Sequence, residues 1–283
     1  MKGRIKNIAA GIGYVALFLG ANLFVQMIIS MVYGFFAGME AAMAGEVIDP
    51  VAMTQDCMEY ILTHNVVLTM SYQLLALATA WFILKLRKKR FCQEVSMTKM
   101  DKKSILPLIV MGLAVQFFVG YGITLLPIPE EIMSDYILQS SSLLTADNWL
   151  FRILGVAIVA PIVEEVFFRG LVLSRFRKAM PLGLAIFLSS FLFGLMHGQI
   201  LWIAYTVVMG FLFSAVALHE KSIWASIILH MAINFSGLFV DMIQCEGIVM
   251  GIVCAIAFVV LIGTIYMIMK NNNEEKKETL EVA

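Results

Sequence analysis

The chain has 283 residues, of which 61% are hydrophobic and only 14% charged, and its formal net charge is zero. Its mean hydropathy is +0.89. A soluble domain carries about 25% charged residues, so an ordinary soluble globular protein is excluded, and zero net charge gives no field that would gather nucleic acid or acidic partners.

A helix needs about 20 apolar residues to cross the hydrocarbon core. Backbone groups there must be satisfied internally, so isolated apolar runs of that length predict helices. Eight such runs are present, at 8–36, 65–84, 105–126, 149–172, 182–198, 200–218, 223–240 and 247–269. The fold class they predict is all-α, a polytopic membrane bundle of about eight transmembrane helices. The first run is too long for a signal-peptide core and is read as retained. The chain divides by role into helices one to three with their loops (1–148), a core of helices four to seven (149–240), and a last helix with a short tail (241–283). The tail from Lys270 to Ala283 is mixed in charge and is expected to be disordered.

Loop charges alternate in sign along this order. The N-terminus carries Lys2, Arg4 and Lys6, and the first loop carries Glu40, Glu46, Asp49, Asp56 and Glu59 with no Lys or Arg. The second loop is basic (Lys85 to Arg90, then Lys99, Lys102 and Lys103), and the third is acidic (Glu130, Glu131, Asp135, Asp147). Arg175, Arg177 and Lys178 follow the fourth run, whereas Asp241 and Glu246 follow the seventh. The positive-inside rule makes the basic segments cytoplasmic. The expected localisation is an integral membrane protein, in the cell membrane if the host is bacterial, with both termini in the cytoplasm.

The four cysteines, Cys57, Cys92, Cys245 and Cys254, show neither CxxC nor metal spacing. Cys57 and Cys245 fall on the same predicted side, which permits a disulfide, but four free thiols are the expectation.

Ionisable groups are almost absent from the first three runs and cluster in the later ones. The fourth contains Glu164, Glu165 and Arg169, the fifth ends at His197, and the seventh contains His230 and Asn234. A charged group at mid-helix costs about 2.5–3.5 kcal/mol on insertion scales, so such groups face the bundle interior and mark function. Glu165 and Arg169 are i,i+4 and share a face; this pair would also serve simply to fix helix packing. Glu164 lies about 100° round the helix from Glu165, and its own i+4 neighbour is Phe168, so it has no cation in its helix. His230 and Asn234 are i,i+4 as well. Glu164, His197, His230 and Asn234 are therefore candidates to converge on one water or one metal ion. His64 and His219 read as interface residues, and Asn22, Gln26, Gln73 and Gln116 as interhelical hydrogen-bonding residues.

Glu-Glu-x-x-x-Arg at 164–169, Phe-x-x-x-His at 193–197 and His-x-x-x-Asn at 230–234 resemble, in that order, the three motifs of the CPBP intramembrane proteases, also called Abi proteins or type II CAAX prenyl endopeptidases. The resemblance covers roughly residues 149–240. It implies an endopeptidase in which Glu164 activates the attacking water, Glu165 and Arg169 belong to the same motif, and His197, His230 and Asn234 complete the site. The implied partner is a membrane protein or peptide substrate, beside the bilayer itself and without nucleic acid.

Peptide hydrolysis needs an activated water and a group that stabilises the oxyanion. Two His and one carboxylate also form a common catalytic zinc set, so Glu164, His197 and His230 are candidate ligands for a divalent metal such as zinc, and Asn234 is a candidate oxyanion donor. Gly-x-Ser-x-Gly and Gly-x-Gly-Asp are absent, and His219-Glu220 does not extend to His-Glu-x-x-His because position 223 is Ile. Two other classes remain open: a non-catalytic, protease-like bacteriocin-immunity or peptide-binding protein, and a proton-coupled transporter relaying through Glu164, His197 and His230.

Overall fold

The computed structural model describes residues 1–45, 47, 49–144, 148–240 and 247–281, without the side chains of 142–144 and 271–281. Cys245, and with it the possible disulfide, lies outside the described residues, as do Glu46, Asp147, Asp241 and Glu246; Cys57, Cys92 and Cys254 are free.

Described residues form helices and no strand. They are α1 (Lys2–Ala44), α2 (Pro50–Thr63), α3 (Asn65–Leu86), the single turn α4 (Phe91–Glu94), α5 (Ile105–Thr124) and α6 (Glu130–Leu144). Then come α7 (149–176), α8 (Leu182–Leu195), α9 (Ile200–His219), α10 (Ile223–Val240) and α11 (Gly247–Glu281). The protein is an all-α polytopic membrane bundle. Six segments are long and apolar enough to cross a membrane: Lys2–Ala44, Asn65–Leu86, Lys102–Thr124, Ile200–His219, Ile223–Val240 and Gly247–Lys270. Their outward side chains are apolar, with Leu23, Phe35 and Val259 each about two-thirds exposed, which suits contact with lipid.

The remaining two predicted spans are α7 and α8. α7 is continuous but changes register, with α segments at Trp149–Arg152, Ala160–Glu165 and Ser174–Phe176 separated by π stretches at Ile153–Val159 and Val166–Leu173. α8 has 14 residues, about 21 Å at the helical rise, short of a hydrocarbon core of about 30 Å. The run expected to reach residue 198 stops early because the chain turns through Gly198, whose φ of 72° suits a residue without Cβ. The final helix differs the other way: it runs on to Glu281 rather than ending at Lys270. α2 and α6, in the acidic loops, are additional helices.

α7 is the centre of the bundle, packed against α1, α3, α8 and α10, while α5 joins α10 to α11. The basic segment after α3 ties several helix ends together. Glu94 pairs with Lys89 at 3.4 Å and with Arg175 at the end of α7. Thr98 Oγ1 donates to the Lys221 carbonyl at 2.6 Å, Ser104 Oγ donates to Glu220 at 3.0 Å, and the Ile223 N–H donates to Ser96 at 3.1 Å. The ends of α3, α7 and α9 and the starts of α5 and α10 thus share one side, as alternating crossings require.

α8 and α9 approach closely at Gly210. A Cβ there would stand 2.9 Å from the Ser190 Cα and 2.7 Å from its Cβ. On the other flank Gly155 meets Val66 and Met70, which lets α3 lie against α7.

Candidate active site

The α segment Ala160–Glu165 carries both glutamates on adjacent faces of α7. Glu165 is fully buried and Arg169 is 3% exposed. Arg169 Nη1 donates to Glu165 Oε1 at 2.9 Å, so the i,i+4 pair forms. Arg169 Nη2 also donates to the Gly210 carbonyl at 3.2 Å, and the guanidinium lies 4.4 Å and 5.0 Å from the ring centres of Phe193 and Phe213. One cation thereby holds α7 to α8 and α9, with desolvated cation–π contacts adding to the ion pair. Glu165 Oε2 and Arg169 Nε are buried and meet no protein partner.

His230 is brought to the same oxygen from α10. Its Nδ1 lies 3.0 Å from Glu165 Oε1. A carboxylate accepts, so Nδ1 carries the proton and Nε2 presents its lone pair. That Nε2 is 3.9 Å from Glu164 Oε2. Phe213 stacks on the imidazole at 4.5 Å and fixes the ring plane. Glu165 thus orients His230, and His230 faces Glu164.

The other oxygen of Glu164, Oε1, accepts from Gln73 Nε2 of α3 at 3.0 Å. Gln73 is fully buried. Sequence reasoning placed it among ordinary interhelical amides and missed it as a site residue. The available signal was an amide on the face otherwise formed by Val66, Ala76, Ala80 and Leu84.

His197 follows α8. Its Nδ1 lies 3.1 Å from the Phe193 carbonyl, which assigns the proton to Nδ1 and leaves Nε2 as an acceptor. Phe193 is the common neighbour of both histidines, with ring centres 5.0 Å from His197 and 6.0 Å from His230. Among the described residues no three of His, Cys, Asp and Glu are arranged to hold a metal ion. Glu164 and His230 face one another, whereas the hydrogen bond of His197 is to the Phe193 carbonyl.

Asn234 is engaged elsewhere, for a reason that begins with Pro161. In the first π stretch the Ala160 N–H reaches back five residues to the Gly155 carbonyl. The next bond in that register would run from residue 161 to Val156, and proline has no N–H. The freed Val156 carbonyl is served instead by Asn234 Nδ2 at 2.9 Å. Asn234 thus locks α10 to the irregular part of α7, and one of its two amide hydrogens is committed there. Asn22 and Gln26 pair with each other along α1 at 2.7 Å, and Asn22 also hydrogen-bonds Tyr72 of α3, as expected of an interhelical amide.

The family model for type II CAAX prenyl endopeptidases, Rce1-like, matches residues 146–236. The protein named "Putative membrane peptidase YdiL" of Bacillus subtilis (strain 168) is 30% identical over 92 residues, which are 32% of this chain and 36% of that protein. The chain thus spans about a third of the curated relative it matches. No solved structure matches it. Residues 146–236 contain the Glu164–Arg169, Phe193–His197 and His230–Asn234 motifs entire, and over that segment the chain is similar to the type II CAAX prenyl endopeptidases.

Proposed function

We propose that the protein is an intramembrane endopeptidase that hydrolyses a peptide bond in a membrane-associated protein or peptide. The observation that carries this reading is the 3.9 Å gap between Glu164 Oε2 and His230 Nε2, two acceptors facing one another in a buried cluster. Polar groups at that separation are suited to share a water. A water donating one hydrogen to each keeps its own lone pairs free for a carbonyl carbon, and Glu164 takes the proton as the bond forms. The Glu165–Arg169 pair holds His230 in the tautomer this step needs. The step is drawn from these side chains, and none is routed through a metal.

The relatives support the broad reading, a membrane protease, and the CAAX class supplies a first substrate to try. The test uses purified protein in detergent with two quenched fluorescent peptides, one carrying a farnesylated C-terminal CAAX sequence and the other its unprenylated form. Cleavage of either by the wild type, lost in Glu164→Gln, supports an endopeptidase, and the preferred peptide reports whether a prenyl group is read. For a natural substrate, membrane peptides of cells expressing wild type or Glu164→Ala are compared by mass spectrometry. No peptide accumulating or vanishing between the two strains, together with no cleavage in vitro, would overturn the reading in favour of a binding protein.

A further inference from the structure

We propose that Gln73 is a positioning residue for Glu164, contributed from outside the segment that matches the protease family. The inference rests on the hydrolytic reading of the site and deepens it.

The buried face of α3 consists of Val66, Gln73, Ala76, Ala80 and Leu84. Four of the five are apolar, and the helix lies against α7 where Gly155 meets Val66 and Met70. An amide in that stripe is costly to bury unless it finds a partner. Gln73 is fully buried and its Nε2 donates to Glu164 Oε1 at 3.0 Å, across 91 residues of sequence. The amide's orientation follows from chemistry, because an ionised carboxylate offers acceptors alone and the NH2 end must face it.

This bond divides the two oxygens of Glu164 by task. Oε1 is occupied by a donor and is a poor place to receive a second proton. Oε2 faces His230 Nε2 and remains open. A proton leaving water between Glu164 and His230 is therefore directed to Oε2, and the carboxylate cannot rotate away without losing the amide. Glu165 and Arg169 cannot supply this restraint, since they are bonded to each other and to His230 and Gly210. Two second partners thus set the geometry of the pair that acts: Glu165 for His230, and Gln73 for Glu164. Only the first belongs to a recognisable motif.

Gln73→Met keeps length and bulk and removes the donor. In detergent, with the farnesylated CAAX peptide or whichever of the two peptides is cleaved, kcat should fall about 10-fold to 100-fold, the range expected for losing a hydrogen bond to a charged group. KM should stay within about twofold of wild type, since the donor acts on the base and not on bound peptide. A side chain that merely packs α3 against α7 would lower melting temperature and leave kcat of the folded fraction unchanged. Should the methionine variant not fold, Gln73→Ser makes room without overpacking and is read the same way.

Melting temperature adds a measure that needs no turnover. In the cycle Gln73→Met, Glu164→Gln and the double variant, partners lose less together than the sum of the singles. If the wild type cleaves and Gln73→Met retains full kcat, the positioning role is wrong while the protease reading stands. If the wild type cleaves neither peptide and no membrane peptide differs between the strains, the protease reading falls, and additive melting shifts in the cycle overturn the link between Gln73 and Glu164 as well.

Discussion

Replacing Glu165 with Gln removes one charge from the most buried part of the protein. Glu165 is fully buried, its Oε1 accepts from Arg169 Nη1 at 2.9 Å and from His230 Nδ1 at 3.0 Å, and Arg169 is 3% exposed. An amide of the same size leaves the guanidinium without its counter-charge, where water cannot reach it. Breaking a buried pair in this way typically costs about 3–5 kcal/mol. At roughly 2–4 °C per kcal/mol for a chain of this order of size, the melting temperature in detergent should fall by about 6–20 °C. Glu164→Gln perturbs less, because that carboxylate has no paired cation and is held by an amide and an imidazole. It should melt within a few degrees of wild type yet lose turnover by the 10²–10⁴-fold that a positioned general base contributes. Both variants are measured side by side by thermal unfolding and by peptide cleavage. The reasoning fails if Glu164→Gln keeps near-normal turnover, or if it, and not Glu165→Gln, is the unstable protein.

Asn234→Ala leaves the Val156 carbonyl without a donor, and a buried unsatisfied acceptor costs about 1–3 kcal/mol, so a lower melting temperature is expected; Pro161→Ala, which can restore the missing N–H, should recover part of it. Gly210→Ala drives a methyl to 2.9 Å from the Ser190 backbone; overpacking of this kind typically costs about 1–3 kcal/mol, and a variant as stable as wild type would show that α8 and α9 can separate freely. Turnover should survive a strong chelator, because the donors do not assemble around a metal; loss on chelation with recovery on adding Zn²⁺ would refute this. In a background without native cysteines, Arg87→Cys should react with an impermeant thiol reagent only in opened cells and Val47→Cys in intact cells, and the reverse pattern would invert the orientation.

The long apolar helices were legible because hydrocarbon imposes a minimum length, and the Glu165–Arg169 pair because i,i+4 spacing alone brings two side chains together. α2 and α6 escaped because their sequences are not apolar enough to register as spans; Asp49 caps α2 through the Val51 N–H at 2.9 Å, a signal that counting hydropathy ignores. Gln73 escaped for a different reason. Its partner is 91 residues away, and an amide on an apolar helix face does not reveal which helix it will meet. The sequence likewise indicated that His230 and Asn234 face one region, but not that Pro161 would deprive Val156 of its donor and draw Asn234 off. The π register is a tertiary outcome, and no single residue announces it.

α7 also has an uneven tolerance for change in length. Removing a residue from an α-helix swings everything beyond it by about 100°, which in a packed bundle misplaces every later side chain. A stretch bonded i→i+5 already holds a surplus residue and can give it up, closing into an α turn while both flanks keep their faces. Ile153–Val159 and Val166–Leu173 are two such slack lengths, and the six residues between them, which include Glu164 and Glu165, have no slack. Scanning α7 by single-residue deletion should therefore give a folded protein more often at Leu154 or Val172 than at Ile162 or Val163. The two carboxylates sit in the taut piece, where a slip of one position would exchange Glu164 for Glu165.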